Sequence, residues 1–252
     1  MVSFDLKDRV ALVTGASRGI GQAIAETLAG HGAEVILVSR KIEGLEIVEK
    51  EIHKTGGKAT SIACNIGNIA NIENLFETVR KTYGRLDILI NNAATNLHFD
   101  VMATIDEGAW GKMMDINLKG PFFMIQKALP LLQAAGRGAI VNVSSVSAIQ
   151  PPPFQGVYSI TKSALITMTQ AYAKELAPHN IRVNALLPGL TDTKFASVLI
   201  HTKEIYDMAM TQIPMKRHAV PSEMAGAALY LVSDAASFTT GTWIVCDGGF
   251  LA

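Results

Sequence analysis

Cysteine is scarce in this chain: 252 residues contain only Cys64 and Cys246, far apart and without a CxxC pair, which excludes a disulfide framework. The six histidines show no HxxxH or HExxH spacing, so no metal site is expected. Charge of one sign is also missing. The 22 Lys+Arg balance 22 Asp+Glu, which leaves no electrostatic footprint for nucleic acid or an anionic membrane. No run reaches the ~18 uncharged apolar residues of a membrane span. The first ten residues carry charges and no apolar signal core, so a soluble, unsecreted, cytoplasmic protein is expected. Charged residues are only 17% and hydrophobic ones 49%, which excludes a disordered chain.

What is present is a rhythm of short apolar runs alternating with amphipathic stretches. Strands are expected at 9–14 (RVALVT), 34–39 (EVILVS), 58–63 (KATSIA), 86–90 (LDILI), 139–144 (AIVNVS), 181–187 (IRVNALL) and 242–246 (TWIVC). Helical patterns cover 20–30, 42–55, 69–83, one long span 106–135, 157–177 and 221–233. This alternation predicts βαβ units on a doubly wound α/β sheet of seven parallel strands with helices on both faces, in a single domain over 1–252. Two stretches break the rhythm. Gln150 to Phe154 (QPPPF) is stiffened by three prolines. Residues 190–217 form an insertion before the last helix, where loops at the carboxyl ends of strands border a ligand crevice, and a substrate lid is expected there.

Directly after the first strand stands TGASRGIG, with Gly15, Gly19 and Gly21 spaced G-x3-G-x-G. Glycines let a backbone approach a pyrophosphate closely, and the following helix offers free N–H groups to negative charge. The GK[ST] of a P-loop is absent, which argues against an NTPase. The second strand ends in Ser39-Arg40-Lys41, where an NAD-binding chain would carry an acidic residue for the ribose 2′-hydroxyl. Arg40, with Arg18 and Lys41, suits a 2′-phosphate instead, so NADP(H) is expected in preference to NAD(H). Further along, Tyr158 and Lys162 (YSITK) share one helix face, and Ser145 closes the fifth strand, so all three should meet at one rim of the sheet.

TGASRGIG, Asn91-Asn92-Ala93, Asn117, Ser145, YSITK and Pro188-Gly189, in this order, resemble the short-chain dehydrogenase/reductase family over essentially the whole chain. VSRK, NNAATN and PGLTDTKF are most similar to its NADPH-dependent carbonyl and retinal reductases. The resemblance implies a Rossmann-type fold and a homotetramer built on the regions 106–135, 157–177 and 242–252. It makes Tyr158 the general acid or base, aided by a nearby cation on Lys162 that lowers its pKa. Ser145 then holds the substrate oxygen, and Asn117 holds a water that relays protons to Lys162. For the cofactor it implies Gly15, Ser17, Arg18, Gly19, Ile20 and Gly21 at the phosphates, with Ser39, Arg40 and Lys41 at the adenosine ribose. Asn65 and Ile66 fall at the adenine, Asn91 and Ala93 beside its ribose, and Pro188, Gly189, Leu190, Thr191 and Thr193, with Tyr158 and Lys162, at the nicotinamide end. Two positions depart from the pattern: Ala94 stands for a glycine, and Cys64-Asn65 stands where an Asp is usual.

Loop positions make Asn96, Leu97, Ser147, Ile149, Phe154, Phe195 and Leu199 the expected pocket wall. A small-molecule ketone or aldehyde with an apolar body fits such a wall. The alternatives are a 3-oxoacyl-[acyl carrier protein] reductase, an NAD-dependent alcohol dehydrogenase, or a dinucleotide-sensing module without catalysis.

Overall fold

In the computed structural model, which describes residues 2–252, the expected strands form one parallel sheet. The chain runs β1 (Val10–Thr14), α1 (Gly19–Gly30), β2 (Glu34–Ser39), α2 (Ile42–Lys54), β3 (Lys58–Ala63), α3 (Ile69–Tyr83) and β4 (Ile88–Asn91). It continues through α4 (Glu107–Met114), α5 (Gly120–Ala134), β5 (Gly138–Val143), α6 (Gly156–Leu176) and β6 (Ile181–Pro188). Then come α7 (Ser197–His201), α8 (Lys203–Gln212), α9 (Ser222–Val232) and β7 (Trp243–Cys246). The strand order is β3-β2-β1-β4-β5-β6-β7, all parallel, a Rossmann-type doubly wound arrangement.

The apolar runs are strands because both sheet faces are covered. In β1, Ala11 and Val13 join a core with α1, α2 and α9. Their neighbours Val10 and Leu12 point to the opposite core, built with α3, α5 and α6. After β1 the chain winds to β2 and β3, and β4 returns to the other side of β1. The strand order therefore reverses between β1 and β4, and a crevice opens at their carboxyl ends.

The helix expected over 106–135 is broken. Residues 115–119 form a π-turn between α4 and α5. Pro121 has no N–H, so the carbonyl of Asn117 loses its α-helical partner and the ladder cannot run straight through. A Cβ at Gly120 would stand 2.8 Å from the Ile66 carbonyl, so the turn also packs tightly against the loop after β3. The insertion 190–217 carries two helices, α7 and α8. Its base is zipped where Ala219 N–H donates to the Leu190 carbonyl and Asp192 N–H to the Ala219 carbonyl, at 2.9 and 2.8 Å.

Candidate active site

The crevice at the carboxyl ends is one continuous cleft of about 1740 Å³. One end is the turn after β1. Gly15 and Gly19 have φ of 67° and 59°, which side-chain-bearing residues rarely adopt. Gly21 has no room for anything larger, since a Cβ there would lie 2.4 Å from both the Gly15 carbonyl and Asn92 Nδ2. Asn92 braces this turn: its Nδ2 donates to the Thr14 carbonyl at 2.9 Å, and its N–H donates to Thr14 Oγ1 at 2.9 Å. Thr14 Oγ1 in turn donates to the Ile90 carbonyl, so the turn is tied to β4.

Asn92 was not among the expected residues; its neighbour Asn91 was. The Asn91 side chain is buried below the cleft and donates to Asn142 Oδ1 at 2.9 Å, a cross-strand pair with no outlet to the cavity. Strand alternation separates the two, with Asn91 ending β4 and Asn92 turning onto the glycine loop. Ala93 does line the cleft, as do Ser17, Arg18, Ile20, Asn65 and Ile66. Asn65 Oδ1 already accepts from Gly67 N–H at 3.1 Å. Ser39, Arg40 and Lys41 form the lip beyond, with the Ser39 hydroxyl donating to the Lys41 carbonyl. Among the described residues, Arg18, Arg40 and Lys41 have no carboxylate within ion-pair distance.

At the other end Ser145, Tyr158 and Lys162 converge. The Ser145 hydroxyl donates to Ser147 Oγ and accepts from Ser147 N–H, both at 3.1 Å, so its place is set by the single turn that follows β5. Lys162 Nζ donates to the Val143 carbonyl at 2.8 Å and lies 5.6 Å from the centre of the Tyr158 ring. Both side chains are almost fully buried, and burial dominates their ionisation. It pushes the Lys162 ammonium down to about 7. Burial also pushes the Tyr158 phenol well above its usual range, with hydrogen bonding to Ser145 opposing it. Burial, rather than the expected lowering by a cation on Lys162, is the largest influence on the phenol.

Asn117 is buried behind these residues rather than in the cleft. Both hydrogens of its amide are committed, to the Thr95 carbonyl at 2.8 Å and Thr161 Oγ1 at 3.1 Å, and its Oδ1 accepts from Thr95 N–H. The Asn117 side chain is thus fully engaged with Thr95 and Thr161. Pro188, Gly189, Leu190, Thr191 and Thr193 form the floor after β6. Thr193 reaches across to the glycine turn, where a Cβ at Gly19 would lie 3.1 Å from its Cγ2.

The wall is apolar. Ser147, Phe154, Phe195 and Leu199 line it as expected, whereas Asn96, Leu97 and Ile149 lie outside it. Phe154, after its run of prolines, is held at φ 64°, a strained conformation for a bulky residue. One face of α8, made of Ile205, Met208, Ala209 and Gln212, also lines the cleft at helical spacing, and periodicity in that Met-rich stretch is the signal that would have found it. No group of His, Cys, Asp and Glu able to hold a metal occurs among the described residues.

A parallel sheet reversing at β1 and β4, a glycine turn at that reversal, and a Ser, Tyr and Lys opposite it define a short-chain dehydrogenase/reductase. Residues 15–251 match a family model described as Enoyl-(Acyl carrier protein) reductase. The human Dehydrogenase/reductase SDR family member 4 is 38% identical over 97% of this chain and 88% of its own length. Among solved structures, a 3-oxoacyl (acyl-carrier-protein) reductase of Agrobacterium tumefaciens with NADP bound is 35% identical, covering 98% of this chain and 95% of that one, with a TM-score of 0.92. A gluconate 5-dehydrogenase of Burkholderia cenocepacia in complex with NADP and tartrate is 29% identical, with coverages of 98% and 97% and a TM-score of 0.94. The chain belongs to the short-chain dehydrogenase/reductase family and is an oxidoreductase of that family.

Proposed function

We propose that this oxidoreductase reduces an apolar-bodied ketone or aldehyde to an alcohol at the expense of NADPH. The observation that carries the reading is the shared cleft: Ser145, Tyr158 and Lys162 at one end, and a glycine turn flanked by three unpaired cations at the other. The residues fit a dinucleotide, since the glycine turn is so tight that a Cβ at Gly15 or Gly21 would strike Asn92 and spread it, and among the described residues Arg18, Arg40 and Lys41 have no carboxylate partner that would compete with a 2′-phosphate. NADP in two related structures supports the same preference.

When bound, NADPH supplies the hydride. The Tyr158 hydroxyl donates its proton to the carbonyl oxygen, which the Ser145 hydroxyl holds in line. Lys162, with its ammonium near 7, exchanges protons readily at neutral pH and returns one to the phenolate. Phe99, Phe154, Phe195, Ile205 and Met208 line the cleft, with Phe195 against Tyr158, which favours an apolar body over a sugar acid. Residues 190–217 act as the lid that closes over it.

We assign the protein to a reducing, cytoplasmic setting, in keeping with two free cysteines and no helix among the described residues long and apolar enough to cross a membrane. Half-exposed Trp110, Phe122 and Ile160 on α4, α5 and α6, with Trp243 and Val245 on the edge strand β7, support assembly as a homotetramer.

Binding titrations with NADPH and NADH, on the wild type and Arg40→Ala, test the cofactor. NADPH is expected to bind more tightly, and the substitution to weaken it by about tenfold or more while leaving NADH nearly unchanged. Equal binding of the two in the wild type would remove the NADPH preference. In a carbonyl panel, Tyr158→Phe is expected to lose about 10²- to 10⁴-fold in turnover with NADPH binding retained.

A further inference from the structure

Lys194 is a cation in the cleft that neither the reaction nor the 2′-phosphate employs. It lines the cleft from the 190–217 insertion and is exposed. Among the described residues no carboxylate lies within ion-pair distance of it, Asp192 two residues earlier included. Its backbone is nevertheless fixed. Thr193, just before it, stands against the glycine turn, where a Cβ at Gly19 would lie 3.1 Å from Thr193 Cγ2. The Thr193 carbonyl and Oγ1 both accept from Ala196 N–H, at 3.0 and 3.3 Å, and the Ser197 hydroxyl donates to the Lys194 carbonyl at 3.0 Å. Phe195, just after it, rests on the Tyr158 ring. Lys194 therefore leaves the chain between the glycine turn and the reacting end.

The glycine turn meets it with donors and no acid. Helix α1 starts there uncapped: Arg18 at its N-cap makes no side-chain hydrogen bond to the first turn, and that turn holds no acidic residue. Its leading N–H groups thus carry partial positive charge that no anion of the protein answers. Glu43 is the carboxylate among the residues lining the cleft, and it lies at the far lip with Arg40 and Lys41, in the first turn of α2. We propose that the Lys194 ammonium binds the cofactor's diphosphate from the insertion side, so that the diphosphate is held between α1 and the insertion. The inference rests on the reading of the cleft as a dinucleotide site, and it adds a contact that does not depend on the 2′-phosphate. A compact charge on a flexible four-carbon stem suits this task, since it needs no fixed fork to follow the diphosphate. Because residue 194 belongs to the insertion, a bound dinucleotide also ties that insertion to the body of the domain.

Isothermal titration of the full chain with NADPH, NADH and ADP-ribose tests the contact, because the three share the diphosphate and differ in the 2′-phosphate and the nicotinamide. Lys194→Met keeps the length of the stem and removes the charge. It is expected to weaken all three ligands by a similar factor, about three- to tenfold. Arg40→Ala, which should weaken NADPH alone, is the contrasting control. Lys194→Arg should stay within about twofold of the wild type, and added salt should narrow the gap between the wild type and Lys194→Met. Equal affinities of the wild type and Lys194→Met overturn the proposal. A loss confined to NADPH would move the ammonium to the 2′-phosphate, and a loss that spares ADP-ribose would move it to the nicotinamide; either overturns it. A gap that ignores salt, or an Arg variant as weak as Met, overturns charge as the cause. A wild type that binds none of the three removes the dinucleotide reading itself, and this contact with it. Equal binding of NADPH and NADH by the wild type removes only the NADPH preference and leaves this result standing.

Discussion

An ammonium sealed from water with one carbonyl acceptor surrenders its proton more readily than one in solution, and Lys162 is in that position. The unfolded chain holds this proton up to about 10.4, whereas the folded chain releases it near 7. Between those limits the unfolded state binds more protons, so stability rises with pH across this window, and below it the full penalty of charging a buried lysine is paid. Urea unfolding of the unliganded protein from pH 7 to 10 should show a slope of up to about 1.4 kcal/mol per pH unit that Lys162→Met lacks. Parallel slopes for the two proteins would contradict it. At this scale the sequence was a good guide to which residues meet and a poor one to their state. Tyr158 and Lys162 are legible from spacing along one helix, but their burial comes from neighbours far along the chain, so the direction of both shifts was hidden. Asn92 was hidden for the same reason, since its work is a contact with Thr14 and Gly15 that no local pattern encodes.

The turn joining β1 to α1 shows how little freedom a functional element can have. Gly21→Ala would drive a methyl into the Gly15 carbonyl and the bracing Asn92 amide, at a cost of about 1–3 kcal/mol in stability. Isothermal titration should show NADPH affinity falling by at least about tenfold, with the far-ultraviolet spectrum unchanged; unaltered affinity would mean the turn relaxes freely. Strands were legible to within a residue or two because each is a short apolar run between turn residues, as in Glu34–Ser39, which matches its expected bounds. Helix ends were legible where capping residues mark them, as at Asn68, whose side chain accepts from Asn71 N–H. The interruption at 115–119 was missed although Gly120-Pro121 announces it, because an amphipathic pattern survives a widened turn. The apolar face of α8 is written in its helical spacing, but what that face lines is explained only by the cleft.

For the molecule as a whole, the alternation of runs and stretches determined a parallel sheet, and the order of motifs determined which ends of it would meet. It could not reveal which apolar side chains would be left exposed at the edge of the sheet, where the proposed assembly would form. β7 leaves one edge of the sheet unpaired, with Trp243 and Val245 partly exposed on it. Trp243→Glu should reduce the sedimentation coefficient from that of a tetramer to a smaller species, and a wild type that sediments as a monomer would refute the assembly. β7 also completes the cleft. Pro188 pairs with Cys246, Gly189 N–H donates to the Cys246 carbonyl, and Met215 N–H donates to the Gly248 carbonyl, so the base of the insertion leans on the strand that follows it. During synthesis the glycine turn leaves the ribosome early, yet it remains half of an unfinished cleft until almost the whole chain has followed it. A nascent chain is therefore without a working active site until β7 has emerged and joined the sheet.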